Sequence, residues 1–365
     1  MIIGVDCHVL AGKFQGSRTY LLNLYQAILA LHPKHEFVFL GHWAGQKPFG
    51  DDPVYADYLS HSRWKRLTYQ TAPLAKHLRL DLLHSNYISP LLLPCPSLLT
   101  VHDVIYQTHP QYFKATEVIR NKLFIKHSIR TAAQIHTVSE YSRRALIEIY
   151  KLPDESVSVV PNGVDLTRFN PRDRNLASAK VNDKFKIQNY ILTVGRLEPR
   201  KNHIGLLYAY ALLKKNKIDV GPLVIVGQKD FRFHELFSVI HKLKLQDNVK
   251  ILESVTDDLL PDIYRAARLF VYPSFAEGFG IPPLEAMACG TPIVSSNTSA
   301  MPEVVGNAGL LINPNSPEEI ASSMFTILSS QSLADDLAIK GRNQAEKWSW
   351  SNAAQRYLSS LAVLE

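Results

Sequence analysis

The sequence predicts an α/β protein of two domains, each built on a doubly wound parallel sheet. Short runs rich in Val, Ile and Leu alternate with longer amphipathic stretches through both halves of the chain, as in strand–helix units around a parallel sheet. The length of 365 residues exceeds what one hydrophobic core usually fills. Between the halves, residues 171–189 are polar with little periodicity, which favours a linker.

The hydrophobic pattern places the elements of each half. In the first half we expect strands at 1–6, 36–40, 81–85, 97–101, 134–138 and 156–160, and helices at 17–32, 111–132 and 139–150. In the second half we expect strands at 190–195, 222–227, 249–252, 269–272, 291–295 and 309–312, and helices at 203–216, 231–244, 257–267 and 282–289. A last helix, over 349–363, carries aromatic side chains that need a partner surface.

Composition narrows the class of protein. Hydrophobic residues make up 46% and charged residues 20%, as in soluble globular proteins. The chain begins with a strand pattern rather than a secretion signal, and it has no apolar run of the roughly 20 residues that span a bilayer. Cys7, Cys95 and Cys289 form no CxxC pair, which argues against a disulfide framework or a thiolate metal site. We therefore expect a cytoplasmic protein, bound at most to the inner membrane surface.

The formal net charge of +7 is unevenly distributed. The whole excess of Lys and Arg over Asp and Glu lies within residues 1–180. Such a basic region attracts lipid phosphates, a pyrophosphate-linked acceptor or nucleic acid. The alternative is that the excess of basic residues only keeps the protein soluble and binds no partner.

Residues that follow strands are the candidates for a binding site, because ligands of open α/β sheets collect beyond the carboxyl ends of the strands. After Gly195 come Arg196, Arg200 and Lys201 within six residues. Arg offers a bidentate fork and Lys a compact charge, so the run is suited to a diphosphate. The alternative is a solvent-exposed loop without a binding role, because a position after a strand does not by itself establish a site.

A second candidate loop follows the strand at 269–272 and reads PSFAEGFGIPPLEAMACG over 273–290. Its glycines allow close backbone approach to a ligand, and its prolines suit a helix start, whose free amides bind phosphate. Pro282 and Pro283 lack an N–H, so the donors come from Phe279, Gly280, Ile281 or Leu284. Asp and Glu are favoured in the first turn of a helix, which explains the presence of Glu285 but not that of Glu277, which precedes the helix. Both carboxylates would be suited to accept hydrogen bonds from sugar hydroxyls.

The first half offers fewer candidates. The strand at 97–101 leads directly into His102, which either hydrogen-bonds a ligand or is a satisfied structural histidine. Gly12, Gly16, Ser17 and Arg18 form a loop that enters the first helix. The absence of a GxGxxG motif counts against a Rossmann dehydrogenase.

Together these motifs resemble the retaining glycosyltransferases of family 4, which have the two-domain GT-B fold. The resemblance covers essentially the whole chain. Its most specific part is the E-x7-E motif, here Glu277 to Glu285, followed by PEVVGNAG at 302–309. VVPNGVDLTRFNP at 159–171, VGRLEPRKN at 194–202 and TVHD at 100–103 also match, but paired glycines of the first loop are here separated by Lys13, Phe14 and Gln15.

The resemblance implies a fold and a set of roles. Two Rossmann-like domains, 1–170 and 171–346, would face a cleft, with the terminal helix 347–365 crossing back to the first. Arg196 and Lys201 would hold the donor diphosphate, Glu277 the hydroxyls of the transferred sugar and Glu285 those of the ribose, while His102 would approach the sugar from the first domain. Further donor contacts are expected from Gly16, Gly195, Gly278, Phe279, Gly280 and Ile281.

The implied reaction is transfer of a mannose- or glucose-type hexose from a GDP- or UDP-sugar, without a metal or other cofactor, to a glycan or lipid-linked glycan. Fixed cations would stabilise the charge that builds on the diphosphate as the glycosidic bond breaks. The basic first half suggests an acceptor at the membrane surface, and nucleic acid is not an expected partner. A nucleotide-sugar epimerase of similar fold and a non-catalytic binding protein are the alternatives.

Overall fold

The computed structural model describes residues 1–11 and 16–364, which divide into two compact units. The first unit contains Met1–Pro110, Lys114–Gly163 and Trp350–Glu365, and the second contains Gln111–Phe113 and Val164–Ser349. The sequence-predicted boundary between residues 170 and 171 falls inside the second unit. Within the described residues, no helix is both long enough and apolar enough to cross a bilayer.

The elements alternate along the chain as the sequence pattern predicts. The strands are β1 Ile2–Asp6, β2 Glu36–Gly41, β3 Val54–Asp57, β4 Leu82–Asn86, β5 Ser97–Thr100, β6 Gln134–Thr137, β7 Val157–Val159, β8 Ile191–Val194, β9 Leu223–Val226, β10 Val249–Leu252, β11 Leu269–Tyr272, β12 Ile293–Ser296 and β13 Leu310–Ile312. The helices are α1 Gly16–Ala30, α2 Arg63–Lys65, α3 Thr71–His77, α4 Ile105–Thr108, α5 Ala115–Thr131, α6 Glu140–Tyr150, α7 Arg174–Phe185, α8 His203–Lys215, α9 His234–Lys242, α10 Leu260–Ala266, α11 Ile281–Ala288, α12 Met301–Val305, α13 Pro317–Leu328, α14 Gln331–Glu346 and α15 Trp350–Ser360.

The first unit is built on a seven-stranded sheet in the order β3-β2-β1-β4-β5-β6-β7, and its strand pairs are parallel. Helix α15 packs on α1, where the Tyr357 and Tyr25 hydroxyls hydrogen-bond at 2.8 Å. The ring of Trp350 meets that of Tyr20 edge-on, with centroids 6.2 Å apart. The aromatic face of the terminal helix is thus covered by the first unit.

The second unit has a six-stranded parallel sheet in the order β10-β9-β8-β11-β12-β13. Its core packs α8, α9 and α13 against apolar strand residues such as Leu223 and Val271. Strand numbering reverses direction between β8 and β11, so the loops that follow these two strands flank the switch point where ligands of such sheets bind. The predicted α/β class with two sheets is confirmed.

The predicted linker at 171–189 is wrong, because Arg174–Phe185 is helix α7 and packs on α10. Arg174 donates to the Ala267 carbonyl at 2.8 Å, and Lys180 pairs with Asp262 at 3.2 Å. Only Ala177 and Val181 of this helix are buried, which is too few apolar positions to give a visible periodicity. The pattern also missed the edge strand β3, the helical stretch 63–77, and helices α12, α13 and α14.

Candidate functional site

Two loops of the second unit meet beside the switch point. β8 and β11 are paired neighbours, so residues 195–202 and 273–280 leave the sheet at the same edge. Two hydrogen bonds hold these loops together: the Phe275 N–H donates to the Arg200 carbonyl at 2.9 Å, and the Arg200 side chain donates from Nη1 to the Ala276 carbonyl at 2.7 Å. The sequence-predicted Arg196, Lys201 and Glu277 therefore lie on one short stretch of the sheet edge.

Glu277 is the centre of a buried ionic cluster. Its Oε1 accepts hydrogen bonds from Lys201 Nζ at 2.6 Å, Ser274 Oγ at 2.6 Å and Tyr272 Oη at 2.9 Å. Its Oε2 lies 2.8 Å from Nη1 of Arg200. Only 7% of the residue is exposed. Burial alone would raise the pKa of Glu277, but the charges of Arg200 and Lys201 outweigh it and lower the pKa to about 2.

Lys201 is held rigidly in the same cluster. Its Nζ also donates to Tyr272 Oη at 2.6 Å, and burial followed by repulsion from Arg200 lowers its pKa. A Cβ on Gly195 would lie 3.4 Å from the Lys201 side chain, and a Cβ on Gly227 would overlap the Gly195 carbonyl. Glycine at both positions therefore lets the strand ends and the lysine stem approach closely.

Arg196 is placed differently from Lys201. It pairs with Asp230 at 2.7 Å, and their side chains are 38% and 36% exposed. Exposed ion pairs contribute little free energy, so little stability is lost when such an arginine exchanges its carboxylate partner for a phosphate. Lys201 is thus a fixed cation and Arg196 an exchangeable one, a distinction that the sequence pattern does not contain.

Asn202 holds the first loop in place and was not singled out from the sequence. It caps helix α8 from a left-handed conformation, with φ of 55° and Oδ1 accepting from the Gly205 amide at 3.1 Å. Its Nδ2 donates to the Pro273 carbonyl at 3.0 Å and the Pro314 carbonyl at 2.7 Å. An Asn just before an apolar helix was the available signal, since Asn favours caps and tolerates positive φ.

The loop from Glu277 to helix α11 turns at Gly280, whose φ of 100° suits glycine. A Cβ there would also lie 2.3 Å from Cε of Met301. The Phe279 ring is buried edge-on to Trp348, so any ligand contact from Phe279 comes from its backbone. The Glu277 amide already donates to Ser299 Oγ at 2.9 Å. The donor contacts expected from Gly278, Phe279, Gly280 and Ile281 stay predictions.

Glu285 lies within α11 and has an environment opposite to that of Glu277. Tyr264 Oη donates to its Oε2 at 2.8 Å. Burial raises the pKa of Glu285 to about 7, and neither the Tyr264 hydrogen bond nor Arg168 offsets the cost of burying the charge. The two carboxylates of the E-x7-E motif therefore differ in protonation near neutral pH, with Glu277 ionised.

In the first unit, His102 lies just beyond the carboxyl end of β5. Its Nε2 is 3.3 Å from Asn86 Oδ1, and its ring packs on those of Tyr20 and Tyr87 at 4.8 and 5.3 Å. Burial lowers the pKa of His102 to about 4, so the ring is neutral at pH 7. Within the described residues, the buried Nδ2 of Asn86 has no hydrogen-bond acceptor.

Gly16, the other candidate in the first unit, begins helix α1 at an exposed position, and a Cβ there would meet open space. Its expected donor contact stays a prediction. Gly12 and the three residues after it, which also belong to the predicted loop, lie outside the described residues.

Comparison with known proteins relates both halves of the chain to sugar transfer. The family model described as Glycosyl transferases group 1 matches residues 176–344, and that described as Glycosyltransferase Family 4 matches residues 14–168. O-antigen chain mannosyltransferase B of Escherichia coli is 34% identical over 267 residues, which cover 73% of this chain and 70% of that protein.

Two solved structures share the fold. A sucrose-phosphate synthase from Thermosynechococcus elongatus superposes with a TM-score of 0.78 at 21% identity, covering 100% of this chain and 98% of its own. Anabaena HepE, solved in complex with UDP and glucose, has a TM-score of 0.76 at 20% identity and covers 99% of each chain. At these identities the likeness concerns the fold.

Proposed function

The chain belongs to the family 4 glycosyltransferases and is a glycosyltransferase of the GT-B fold, and from this premise we propose that it transfers a mannosyl unit from a nucleotide-diphosphate sugar to a glycan or lipid-linked glycan with retention of anomeric configuration. The observation that carries the proposal is the buried Lys201–Glu277 pair beside Arg196 at the switch point of the second unit. Cations and a hydroxyl-binding carboxylate stand together there.

The cations act on the leaving group. As the glycosidic bond breaks, negative charge grows on the nucleoside diphosphate, and preorganised positive charge stabilises this transition state more than the ground state. Lys201 is fixed by its hydrogen bonds, while Arg196 leaves Asp230 to take a phosphate oxygen. This division of roles needs no metal ion, and unchanged turnover in EDTA is the expected result.

Glu277 binds and orients the transferred sugar rather than attacking it. Three donors already occupy Oε1, whereas Oε2 accepts from Arg200 and has capacity left for a sugar hydroxyl. A carboxylate with a pKa of about 2 and four protein donors is a weak nucleophile. Retention therefore follows from attack by the acceptor on the face that the diphosphate leaves, without a covalent glycosyl–enzyme intermediate.

The donor is GDP-mannose, on the support of the mannosyltransferase relative from Escherichia coli. UDP-glucose is the second candidate, since HepE was solved with UDP and glucose. In either case Glu285 receives the ribose hydroxyls, and His102 serves as a neutral hydrogen-bonding group toward the sugar. The enzyme acts in the cytoplasm at the inner membrane surface, where the basic excess of residues 1–180 favours anionic surroundings.

A nucleotide-sugar screen tests the proposal. GDP-mannose and GDP should raise the melting temperature, because a ligand that binds only the folded state stabilises it. With a lipid-linked glycan acceptor, the product of an α-linked donor should carry an α-linked mannose by NMR. If UDP-glucose stabilises the protein and GDP-mannose does not, UDP-glucose is the donor instead of GDP-mannose. Release of a free epimerised sugar in the absence of an acceptor would refute the transfer reaction.

A further inference from the structure

Buried histidines of the first unit differ in how well the fold satisfies them. His84 lies in β4, and both of its ring nitrogens have partners inside the fold. Its Nδ1 lies 2.5 Å from Tyr25 Oη, and its Nε2 lies 2.7 Å from Thr100 Oγ1. His84 is therefore a satisfied structural histidine.

The ring of His102 is only half satisfied. Its Nε2 lies 3.3 Å from Oδ1 of Asn86, and among the described residues its Nδ1 has no hydrogen-bond partner. His102 follows β5 at the carboxyl edge of the sheet, where ligands of such sheets bind, and it is 7% exposed. A ring nitrogen without a protein partner at this edge is available to a ligand.

The contact with Asn86 determines which nitrogen of His102 carries the proton. An amide oxygen only accepts hydrogen bonds, so Nε2 must be the donor toward Oδ1. The ring is neutral at pH 7, since burial lowers the pKa of His102 to about 4, and a neutral ring has a single N–H. Nδ1 therefore holds a lone pair, which can accept a hydrogen bond from a hydroxyl.

The fold itself gains little from Asn86. The residue is 3% exposed, and its buried Nδ2 has no acceptor within the described residues, which costs free energy. The Ile88 N–H donates to the Asn86 carbonyl at 2.7 Å across Tyr87, whose φ of 60° is rare for a bulky side chain. This tight turn places the Tyr87 ring 5.3 Å from that of His102. Local costs of this kind are typical of functional sites.

We propose that Asn86 is the positioning residue of His102: its Oδ1 holds the neutral ring in the Nε2–H tautomer, so that Nδ1 accepts a hydrogen bond from a hydroxyl of the transferred hexose. The inference deepens the proposed function and rests on its assignment of His102 to the sugar. Asn86 acts through the histidine and needs no contact of its own with the sugar.

The surroundings of His102 make this role testable through charge. The titratable side chains near the ring are Tyr20 of α1, Tyr87 after β4 and His84 within β4. Among the described residues no charged group shifts the pKa of His102, which burial alone lowers. A carboxylate at position 86 would therefore add a negative charge where none now acts on the ring.

Nitrogen NMR of the full chain with ¹⁵N-labelled histidine reads the tautomer, and His102→Gln assigns the signal. Wild type should show the Nε2–H form. Asn86→Asp keeps an acceptor at Nε2 and should keep this tautomer, but it should raise the pKa of His102 above about 4, because a carboxylate favours the charged ring. Asn86→Leu, which has no acceptor, should populate the Nδ1–H form.

Turnover distinguishes positioning from a structural role. Asn86→Leu should lower kcat/KM with GDP-mannose roughly 10–100-fold, as when the partner that orients a histidine is lost. It should keep GDP affinity, and its melting temperature should stay within about 2 °C of wild type, because the unpartnered Nδ2 is removed as well. Asn86→Asp should recover most of the activity at pH 8 and lose it as the pH falls toward about 5, since a protonated ring has no acceptor.

Ser360→Ala is the matched control. It removes the hydroxyl that lies 2.8 Å from Nε2 of His136, another buried histidine of the first unit. Both kcat/KM and the His102 signal should stay unchanged in this variant.

The outcomes separate this inference from the proposed function. An Nδ1–H ring in wild type would show that the amide of Asn86 is turned around, which overturns the inference, as does full turnover in Asn86→Leu. A kcat/KM profile of Asn86→Asp without a new step between about pH 5 and 8 also overturns it, whatever the stability of Asn86→Leu. If neither GDP-mannose nor UDP-glucose raises the melting temperature while the tautomer still depends on Asn86, the proposed function fails and the control of His102 by Asn86 stands.

Discussion

Replacing Glu277 by Gln should destabilise the second unit while leaving the first unchanged. The folded-state pKa of Glu277 is about 2, against 4.5 for the free group, so its ionised form contributes about 3 kcal/mol at neutral pH, at about 1.4 kcal/mol per pKa unit. Gln keeps the shape of the side chain but leaves Lys201 and Arg200 as buried cations without their shared carboxylate. Removing one partner of a buried pair costs roughly 3–5 kcal/mol, which agrees with the value obtained from the pKa.

Native-state hydrogen exchange measures this loss unit by unit. In Glu277→Gln, amides of Ile191–Val194 and Leu269–Tyr272 should lose about 3 kcal/mol of protection, while amides of Ile2–Asp6 should not change. The lowered pKa fixes the pH dependence: the contribution is full above about pH 4.5 and is lost as the pH falls through about 2. The wild-type advantage in urea unfolding should therefore fall to less than half by about pH 3.

A matched variant makes the result decisive. Glu346→Gln removes an exposed carboxylate from the same unit and should change protection by less than about 0.5 kcal/mol. If Glu277→Gln keeps protection within about 1 kcal/mol of wild type at pH 7, or if the loss appears equally in Ile2–Asp6, the buried cluster is not what stabilises the second unit.

The other site residues each have a distinct expected behaviour. Arg196→Ala and Lys201→Ala should each lower kcat/KM roughly 10²–10³-fold, but only Lys201→Ala should lower the melting temperature, because the Arg196–Asp230 pair is half-exposed; equal melting losses would contradict this. Since the pKa of Glu285 is raised to about 7, wild type should lose stability relative to Glu285→Gln as pH rises from about 4.5 to 7, and melting curves that stay parallel would refute the shift. Because His102 has a pKa of about 4, His102→Gln should remove no step from the kcat/KM profile between about pH 5 and 8, and a lost step would show that His102 titrates there.

The fold followed from the sequence where the strands are dominated by Val, Ile and Leu. Every strand predicted in the second half is present: the central parallel strands are buried apolar runs, and the edge strands Val249–Leu252 and Leu310–Ile312 are apolar at every position except Lys250. The edge strand Val54–Asp57 was missed, since Val54 is 55% exposed and its run is not uniformly apolar. Helix α7 was mistaken for a linker because it buries only two residues against α10.

Loop order and residue type were enough to select Arg196, Lys201, Glu277 and Glu285 as candidates, because the carboxyl ends of parallel strands share an edge. The sequence by itself determined which side chains reach that edge. Only the tertiary structure decided their partners: Lys201 buried on Glu277, Arg196 exchangeable on Asp230, and two carboxylates of one motif with opposite pKa shifts. Burial and the spacing of charges are set by residues far apart in the chain, such as Tyr264 and Arg200, so no local pattern encodes them.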